Sequence, residues 1–516
     1  MTSSTTTNVV IAGGGPNGLL MACELALAGV RPIVLEHLPE RASLPKANGL
    51  VGRVVQALDY RGLYELFSGS TTPPVPAPGF QFGALPLDLS IVDDNALYAQ
   101  PIPQRRLEEL LEKRAHGLGV EIRRGHELVA LSQNDDLVTI DVQGPDGRYQ
   151  LTAKFLVGAD GGHSKVRKAC GIGFSGITER GFVGHSGQVS IRPPVAVPGT
   201  GELEVAGVGR FRPTTFTRTE NGMFVFGMFQ PGLYRVAVYE WAPSELEDST
   251  SIPLEELQAA VRRVLGGDVP MSEPEGGEPA ALRRSTGINS RQADRYQHGR
   301  VFLVGDAAHV HSGVGGPGLN LGMQDVLNLG WKLAAAVNGW APDGLLGTYQ
   351  DERHPVGRRV IMHTRAQTAL LSPGANITAL RELFEELLRD RNNVRHIAQL
   401  MAGADIHYDM RASGSHPMVG RWMPDLVLHN GNRVAELLHA ARPVLLDLAG
   451  RGELVDAAKD WSDRVDVVTS PVVDERPAEA VLIRPDGYVA WATGSATPQA
   501  AEELRHTFQT WFGAPK

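Results

Sequence analysis

The apolar run Asn8-Val9-Val10-Ile11-Ala12 breaks into glycines at Gly13-Gly14-Gly15 and resumes as Leu19-Leu20-Met21-Ala22-Cys23-Glu24-Leu25-Ala26-Leu27. That pattern predicts strand, tight turn and helix, and Arg31-Pro32-Ile33-Val34-Leu35 predicts a second strand. Strands and helices alternate from Asn8 to about Gly171, interrupted by a proline-bearing loop from Ser68 to Pro78. The character then changes. Glu202-Leu203-Glu204-Val205, Met223 to Phe229 and Tyr234 to Trp241 read as strands, the last two joined by a hairpin turn at Gln230-Pro231-Gly232-Leu233. Period-two alternation puts Tyr234, Val236, Val238 and Glu240 on one face and Arg235, Ala237, Tyr239 and Trp241 on the other, and leaves open which face is functional. Asn320 to Leu333 carries apolar residues at helical spacing, helices continue from about Leu345 to Ala402, and strand-like runs return at Pro443–Leu448, Val465–Val468 and Ala480–Trp491.

The first glycine run is a Gly-x-Gly-x-x-Gly motif, Gly13 to Gly18. Gly13 permits the bend, Gly15 lets a pyrophosphate approach the backbone, and Gly18 lets the helix lie against the strand. The pyrophosphate then meets the positive end of the helix. The second strand delivers Glu36, a carboxylate placed to accept the hydroxyls of an adenosine ribose and to repel a 2'-phosphate. A second motif is Gly158-Ala159-Asp160-Gly161-Gly162, and a third is Gly305-Asp306, continuing through Gly315-Gly316-Pro317-Gly318-Leu319-Asn320. The helix that follows would aim backbone N–H groups at an anion, such as the N1 and C2=O edge of a reduced flavin; a buried helix behind a glycine cap is the plainer alternative.

These three motifs, in this order over essentially the whole chain, resemble the single-component FAD-dependent aromatic hydroxylases typified by para-hydroxybenzoate hydroxylase. Within that group the chain is most similar to the longer hydroxylases of actinobacterial aromatic polyketide pathways and to the rifampicin monooxygenases. The resemblance implies an α/β fold: a discontinuous Rossmann-like FAD domain (residues 1–181 and, with helices, 283–412), an inserted antiparallel β-sheet substrate domain (182–282) and a thioredoxin-like C-terminal domain (413–516). It assigns FAD to Gly13, Gly15, Gly18, Glu36, Gly305, Asp306, Gly318, Leu319 and Asn320, with Asp160 and Gly161 serving both FAD and a transient NADPH or NADH. Gln104 matches a glutamine on the flavin side of the cofactor, and Lys46 stands where many relatives carry arginine. Arg53, Arg235, Tyr239 and His311 are the substrate candidates.

The implied reaction is insertion of one oxygen atom from O2 into an aromatic or polyketide-type small molecule through a C4a-hydroperoxyflavin, with no catalytic side chain named. Baeyer-Villiger oxidation, epoxidation and antibiotic inactivation stay open as variants, and an FAD-binding assembly partner stays open as a non-enzyme. Where relatives carry two prolines beside the flavin, this chain has Ser312-Gly313, and Pro317 replaces a common glutamine. A halogenase would show Trp-x-Trp-x-Ile-Pro, which is absent.

Composition narrows the picture. The net charge of −9 and the lack of a basic tract with interleaved aromatics exclude a nucleic-acid binder. Cys23 and Cys170, the 2 cysteines of the chain, allow neither a disulfide framework nor a cysteine metal site, and leave the thioredoxin-like region without redox chemistry. His309-x-His311 beside Asp306 is weighed as a metal site and set aside for want of further ligands. The polar leader Met1–Thr7 and the charges Glu24 and Arg31 argue against a signal or membrane segment, so a cytoplasmic monomer or homodimer is expected.

Overall fold

The computed structural model describes residues 5–41, 48–241, 246–274, 279–411, 416–450, 452–473 and 475–516. Its first unit is a parallel sheet. The Gly147–Gly158 strand lies between Thr5–Ala12 and Val301–Leu303, and Thr5–Ala12 pairs in turn with Ile33–Glu36. Glu121–Arg124 continues the parallel set, and Gln297–His298 closes the opposite edge antiparallel. Val9, Val10 and Ile11 are fully buried, as the near-continuous apolar runs of a parallel sheet covered on both faces require. Helix Pro16–Leu27 packs on Gln104–Gly117 and on Pro317–Val337, so distant stretches of sequence cover the sheet together.

Simple strand-helix alternation does not hold to Gly171. Glu127–Gln133, Val138–Gly144 and Gly147–Gly158 form an antiparallel meander. The signal was present in Val138-Thr139-Ile140-Asp141-Val142, whose strict alternation marks a half-buried strand.

The inserted sheet has six strands in the order Thr217–Thr219, Gly222–Gln230, Leu233–Trp241, Phe174–Ser190, Arg283–Ala293 and His309–Val310. The expected hairpin forms across Pro231-Gly232. Leu203–Val205 does not join this sheet but pairs with Gly209–Phe211 in a separate small ribbon. Phe174–Ser190 and Arg283–Ala293 run from the nucleotide unit into the inserted sheet, and Val310 and His309 pair with Arg291 and Gln292. The segment that follows Gly305-Asp306 is therefore also the last strand of the inserted sheet.

The two faces of this sheet are now distinguished. Phe224, Phe226, Tyr234, Val236 and Val238 pack on Leu257, Val261 and Val264 of helix Leu254–Leu265, which makes theirs the back. On the front, Tyr239 and Trp241 meet Val314 and Leu371, and Arg235 donates to Asn48 Oδ1 at 3.0 Å.

In the C-terminal unit, Val444–Asp447 pairs parallel with Asp466–Thr469 and antiparallel with Ala480–Ile483, which pairs with Val489–Thr493. With helices Glu453–Ala457 and Pro498–Phe512 this is the thioredoxin-like order. The run expected as one strand from Ala480 to Trp491 is broken by a turn in which Arg484 N–H donates to the Tyr488 carbonyl at 2.8 Å and Gly487 N–H to that of Arg484 at 2.9 Å. The turn aims Arg484 inward, where it pairs with Asp486 and with Glu352, which also accepts from Lys332 Nζ at 2.7 Å. Burial pulls the Lys332 ammonium down to about 8 against the opposing pull of Glu352. For Glu352 the neighbouring cations outweigh burial and hold the carboxyl far below its usual range. A second buried pair, Arg61 with Glu24, reaches the carbonyls of Leu438 and Pro485. Removing one member of such a cluster leaves an uncompensated buried charge, so these contacts hold the two units in a single register.

Candidate functional site

The three glycine motifs converge at one edge. Gly13 N–H donates to the Leu35 carbonyl at 2.7 Å, Ala159 N–H to Ala12 at 2.8 Å and Val304 N–H to Gly158 at 3.0 Å, so each motif leaves the sheet at the carboxyl end of its strand. In open α/β sheets that edge is where ligands bind. Gly13 has φ +112°, and a Cβ there would stand 2.3 Å from the Ala159 carbonyl oxygen. A Cβ on Gly18 would stand 1.9 Å from the Gly13 carbonyl oxygen, which is the close helix-strand approach expected of the third glycine. At Gly15 the corresponding space is open to 4 Å.

Helix Pro16–Leu27 begins with Gly15 at its N-cap and no side-chain cap, leaving the first N–H groups for an outside acceptor. Glu36 ends its strand with Oε2 accepting from Gly14 N–H at 2.7 Å and Oε1 from Leu38 N–H at 2.8 Å, an orientation that leaves further lone pairs for ribose hydroxyls.

Helix Pro317–Val337 is built in the same way, with Gly316 in the left-handed region at its N-cap, Pro317 at its start and no side-chain cap. The Asn320 side-chain Oδ1 accepts from Val54 N–H and Gln324 Nε2, both at 3.0 Å, which ties the start of this helix to the segment at Arg53–Asp59. Asn17 joins the two helix starts: a Cβ on Gly305 would lie 2.0 Å and one on Gly322 2.5 Å from its Nδ2, and its buried Oδ1 has no hydrogen-bond partner. Sequence reading passed over Asn17, whose signal is that two separated glycines make room for it. Asp306 is exposed in the short turn Gly305–Ala307.

Behind that turn lies a buried triad that sequence reading also missed. Asp325 accepts from Gly305 N–H at 3.3 Å, lies 2.6 Å from His309 Nε2 and accepts from Arg353 Nε at 2.8 Å. Burial works to raise the Asp325 carboxyl, and Arg353 with His309 overcomes it and holds it below the usual carboxylate range. His309 is thus a brace of the Gly-Asp turn, facing Asp325 rather than Asp306. Among the described residues no group of three or more His, Cys, Asp or Glu could hold a metal ion.

The remaining candidates fall around this frame. Asp160 accepts from Ser164 Oγ at 2.6 Å and Val166 N–H at 3.0 Å, so its carboxylate organises the short helix Lys165–Ala169, while the space at Gly161 is open. Arg167, buried and without a role assigned from the sequence, ties the second motif to the third through Gly162 O at 3.0 Å and Ala307 O at 2.9 Å. Gln104 starts its helix and donates to Glu108 at 2.8 Å. Lys46 lies outside the described residues. Arg53 donates to Gln56 and sits over the Trp422 ring of the C-terminal unit, 5.8 Å from its centre. Its guanidinium is pulled below its usual value by burial.

His311 stands beside the start of helix Pro317–Val337, its Cε1 3.8 Å from where a Gly318 Cβ would be. Its ring lies 6.4 Å from that of His309, and burial, reinforced by His309, lowers its pKa. His363, buried behind the loop, is pulled down to about 3 by burial and by His311. Over this floor lies the front of the inserted sheet. Tyr239 stacks on Phe182 at 5.1 Å, Phe182 meets Trp241 edge-on at 5.2 Å, and Met223, Tyr239 and Trp241 close on Val314 of the loop between His311 and helix Pro317–Val337.

Two uncapped helix starts, an open space at Gly15, an unpartnered Asn17 oxygen and a carboxylate at the end of the second strand suit a dinucleotide with a pyrophosphate, two polyol ends and an aromatic ring system. FAD has that chemistry. Residues 6–364 match the FAD binding domain family and residues 416–515 the aromatic-ring hydroxylase C-terminal family. The chain is 42% identical over 98% of its length, and 99% of the relative's, to a 12-dehydrotetracycline 5-monooxygenase/anhydrotetracycline 6-monooxygenase of Streptomyces rimosus. It is 40% identical over 98% of its length, and 99% of the relative's, to a rifampicin monooxygenase of Streptomyces venezuelae. The solved structure of an anhydrotetracycline hydroxylase from Streptomyces rimosus superposes with a TM-score of 0.86, covering 99% of this chain and 100% of that one at 39% identity. The chain belongs to the FAD-binding aromatic-ring hydroxylase family and is an FAD-dependent monooxygenase.

Proposed function

We propose that this enzyme hydroxylates a fused-ring aromatic polyketide. The observation that carries the reading is the aromatic front of the inserted sheet, where Tyr239 and Trp241 both meet Phe182 and pack on the cluster of Met223, Val314 and Leu371 beside the cradle. When bound, FAD reduced by NADPH or NADH supplies the activation of O2 and the transfer of one oxygen atom to an electron-rich carbon.

The protein's part is to bind, orient and exclude water. Gly13, Gly15 and Gly18 with the start of helix Pro16–Leu27 hold the pyrophosphate, Glu36 the adenosine ribose, and Asp306 with Gly305 the ribityl region. The N–H groups of Gly318, Leu319 and Asn320 face the flavin edge, where they favour negative charge. Gln104 flanks the flavin, and Asp160 and Gly161 border the path of the nicotinamide. Tyr239, Arg235, His311 and Arg53 contact the substrate. Met223, Val314, Leu371 and Trp241 form an apolar seal, and water exclusion matters because a solvated oxygen-transfer site loses its oxidant as H2O2.

Relatives that act on anhydrotetracycline and on rifampicin support polycyclic phenols as the substrate class and leave biosynthesis and antibiotic inactivation as its two settings. Among the described residues no helix is long and apolar enough to cross a membrane, and both cysteines are free and buried, which supports a reducing cytoplasm as the location. Steady-state NADPH oxidation by the FAD-loaded protein, with and without anhydrotetracycline or rifampicin, tests the reading. Stimulated oxidation with a product heavier by one oxygen atom is expected. Oxidation unchanged by polycyclic phenols, with H2O2 as the sole product, would defeat it.

A further inference from the structure

Between the strand His309–Val310 and the helix Pro317–Val337 one side chain is left with an unused hydrogen-bonding edge. His311 Nδ1 lies 2.9 Å from the Ser312 carbonyl oxygen. A carbonyl oxygen only accepts, so Nδ1 carries the ring proton and Nε2 presents a bare lone pair. Among the described residues Nε2 has no partner. The ring is deep enough in the protein for burial to lower its pKa, yet it keeps accessible surface. Those two properties together belong to a side chain that lines an internal space and not the outer surface.

The neighbouring histidines keep that lone pair free of a proton. Gln367 Oε1 accepts from Gly83 N–H at 3.2 Å, which turns the amide nitrogen of Gln367 toward His363 Nδ1 at 3.3 Å. His363 therefore accepts at Nδ1 and carries its own proton on Nε2, which is buried without a partner. Burial holds His363 at about 3, helped by His311 and then by Arg359. A proton added to His311 would leave water and meet His309, with Asp306 opposing them. The neutral ring, an acceptor at Nε2, is the stable form near neutral pH.

Helix Gly347–Leu371 places this acceptor relative to the apolar seal. His363, Gln367 and Leu371 are spaced i, i+4, i+8 and form one ridge. Gln367 fills the room left by Gly315, 3.0 Å from where a Cβ would stand, and Leu371 packs with Val314 and Met223 against Tyr239 and Trp241. The ridge thus runs beside the loop, polar toward His311 and apolar toward Val314. The Cε1 edge of His311 is turned to the start of helix Pro317–Val337, 3.8 Å from where a Gly318 Cβ would be. A flat ring system between roof and cradle meets hydrocarbon at one end and a single lone pair at the other.

We propose that His311 Nε2 accepts the hydrogen of an un-ionised hydroxyl on the polycyclic substrate, and so sets which edge of the ring system turns toward the helix start. This rests on the substrate reading above and adds to it a requirement for a hydrogen-bond donor on the ring. A methyl ether has no hydrogen to give and leaves the acceptor unpaired, and a phenolate brings negative charge against the lone pair. His311 is in this account a specificity-determining residue, and no proton is transferred to it.

The test follows the flavin absorbance of the FAD-loaded enzyme during titration with 2-naphthol and with 2-methoxynaphthalene at neutral pH. The wild type is expected to bind the naphthol about three- to tenfold more tightly, the range for one neutral hydrogen bond. His311→Leu should bring the two affinities together by weakening the naphthol alone. His311→Gln, whose amide oxygen can take the place of Nε2, should keep part of the preference, and the shorter His311→Asn should lose it. FAD content and far-UV circular dichroism identify a leucine variant that has lost its fold, in which case the glutamine and asparagine variants carry the comparison.

Equal wild-type affinity for naphthol and ether, binding of neither, or a preference that survives both His311→Leu and His311→Asn would overturn the proposal. So would a leucine variant that loses FAD affinity and keeps the naphthol preference, since His311 would then belong to the cofactor site. A hydroxyl preference carried by His311 in an enzyme that oxygenates no polycyclic phenol would sustain the site and sink the polyketide reading. Oxygenation of anhydrotetracycline by a wild type without that preference would do the reverse, so the two failures are separable.

Discussion

The nucleotide cradle and the roof above it are made by different means. The cradle is a backbone object: glycines at Gly13, Gly15 and Gly18, N–H groups at two helix starts, and side chains such as Asn17, Asp325 and Arg167 that brace loops from behind. The roof is a side-chain object, a regular sheet whose front face differs from its back in what alternate residues carry. Val236 and Val238 look back into the core, and Arg235 and Tyr239 look forward. Backbone cradles are stringent about shape and indifferent to most neighbouring side chains, whereas a sheet face can change its ligand by single substitutions without disturbing its ladder. Substitutions in the cradle should therefore act on FAD and on folding, and substitutions in the roof on substrate.

The largest effect is expected behind the cradle. Asp325→Asn leaves Arg353 buried with its charge partner weakened, and breaking a buried pair costs about 3–5 kcal/mol. Urea unfolding of the FAD-loaded variant should show that loss, and a variant as stable as the wild type would mean the triad does not brace the turn. Gly18→Ala comes next. Its Cβ meets a backbone carbonyl at 1.9 Å, an overpacking cost of up to about 3 kcal/mol. Fluorescence titration should find FAD affinity reduced by up to about a hundredfold. Glu36→Ala should weaken FAD by about 1.5 kcal/mol or more through lost charge-assisted hydrogen bonds. Tyr239→Ala inverts the pattern: FAD affinity stays unchanged, while NADPH oxidation becomes uncoupled from product as the aromatic roof is lost, read by the ratio of H2O2 to hydroxylated product.

Acid sharpens the same contrast. Asp325 and Glu352 have folded pKa values below the ordinary 3.8 and 4.5, so their stabilisation is complete above those values and drains away as pH falls through the folded ones. Melting temperature should hold down to about pH 5 and then fall, less steeply in Asp325→Asn than in the wild type. The smallest effect is expected at Gly313→Pro. No atom lies within 4 Å of a Cβ there, so FAD affinity should change by less than about 1 kcal/mol, and the rate of reduction by NADPH should shift more than binding does. Stopped-flow traces and FAD titration on the same variant check it; unaltered reduction with collapsed FAD affinity would make the loop a clamp.

Legibility followed the same division. Gly13 to Gly18, the strand ending at Glu36 and Gly305-Asp306 could be read because a phosphate-binding turn limits which residues fit, and those limits are local. The hairpin across Pro231-Gly232 was legible for a similar reason. The face of the Leu233–Trp241 strand was not, because alternation defines two faces and only the helix Leu254–Leu265 packed on one of them separates inside from outside. Asn17, Asp325 and Arg353 escaped because their roles depend on partners tens to hundreds of residues away, as did the turn at Arg484–Tyr488, whose apolar flanks read as one strand until Glu352 and Asp486 draw the arginine inward.

The central claim is that the roof holds an aromatic substrate where the FAD-loaded cradle can deliver one oxygen atom from O2. The most direct measurement is turnover of anhydrotetracycline with NADPH under isotopically heavy O2, followed by mass spectrometry of the product. The account predicts a product carrying one heavy oxygen atom, formed in proportion to the NADPH consumed. A product whose new oxygen comes from water, or NADPH consumption that yields H2O2 and returns the polyketide unchanged, would contradict it.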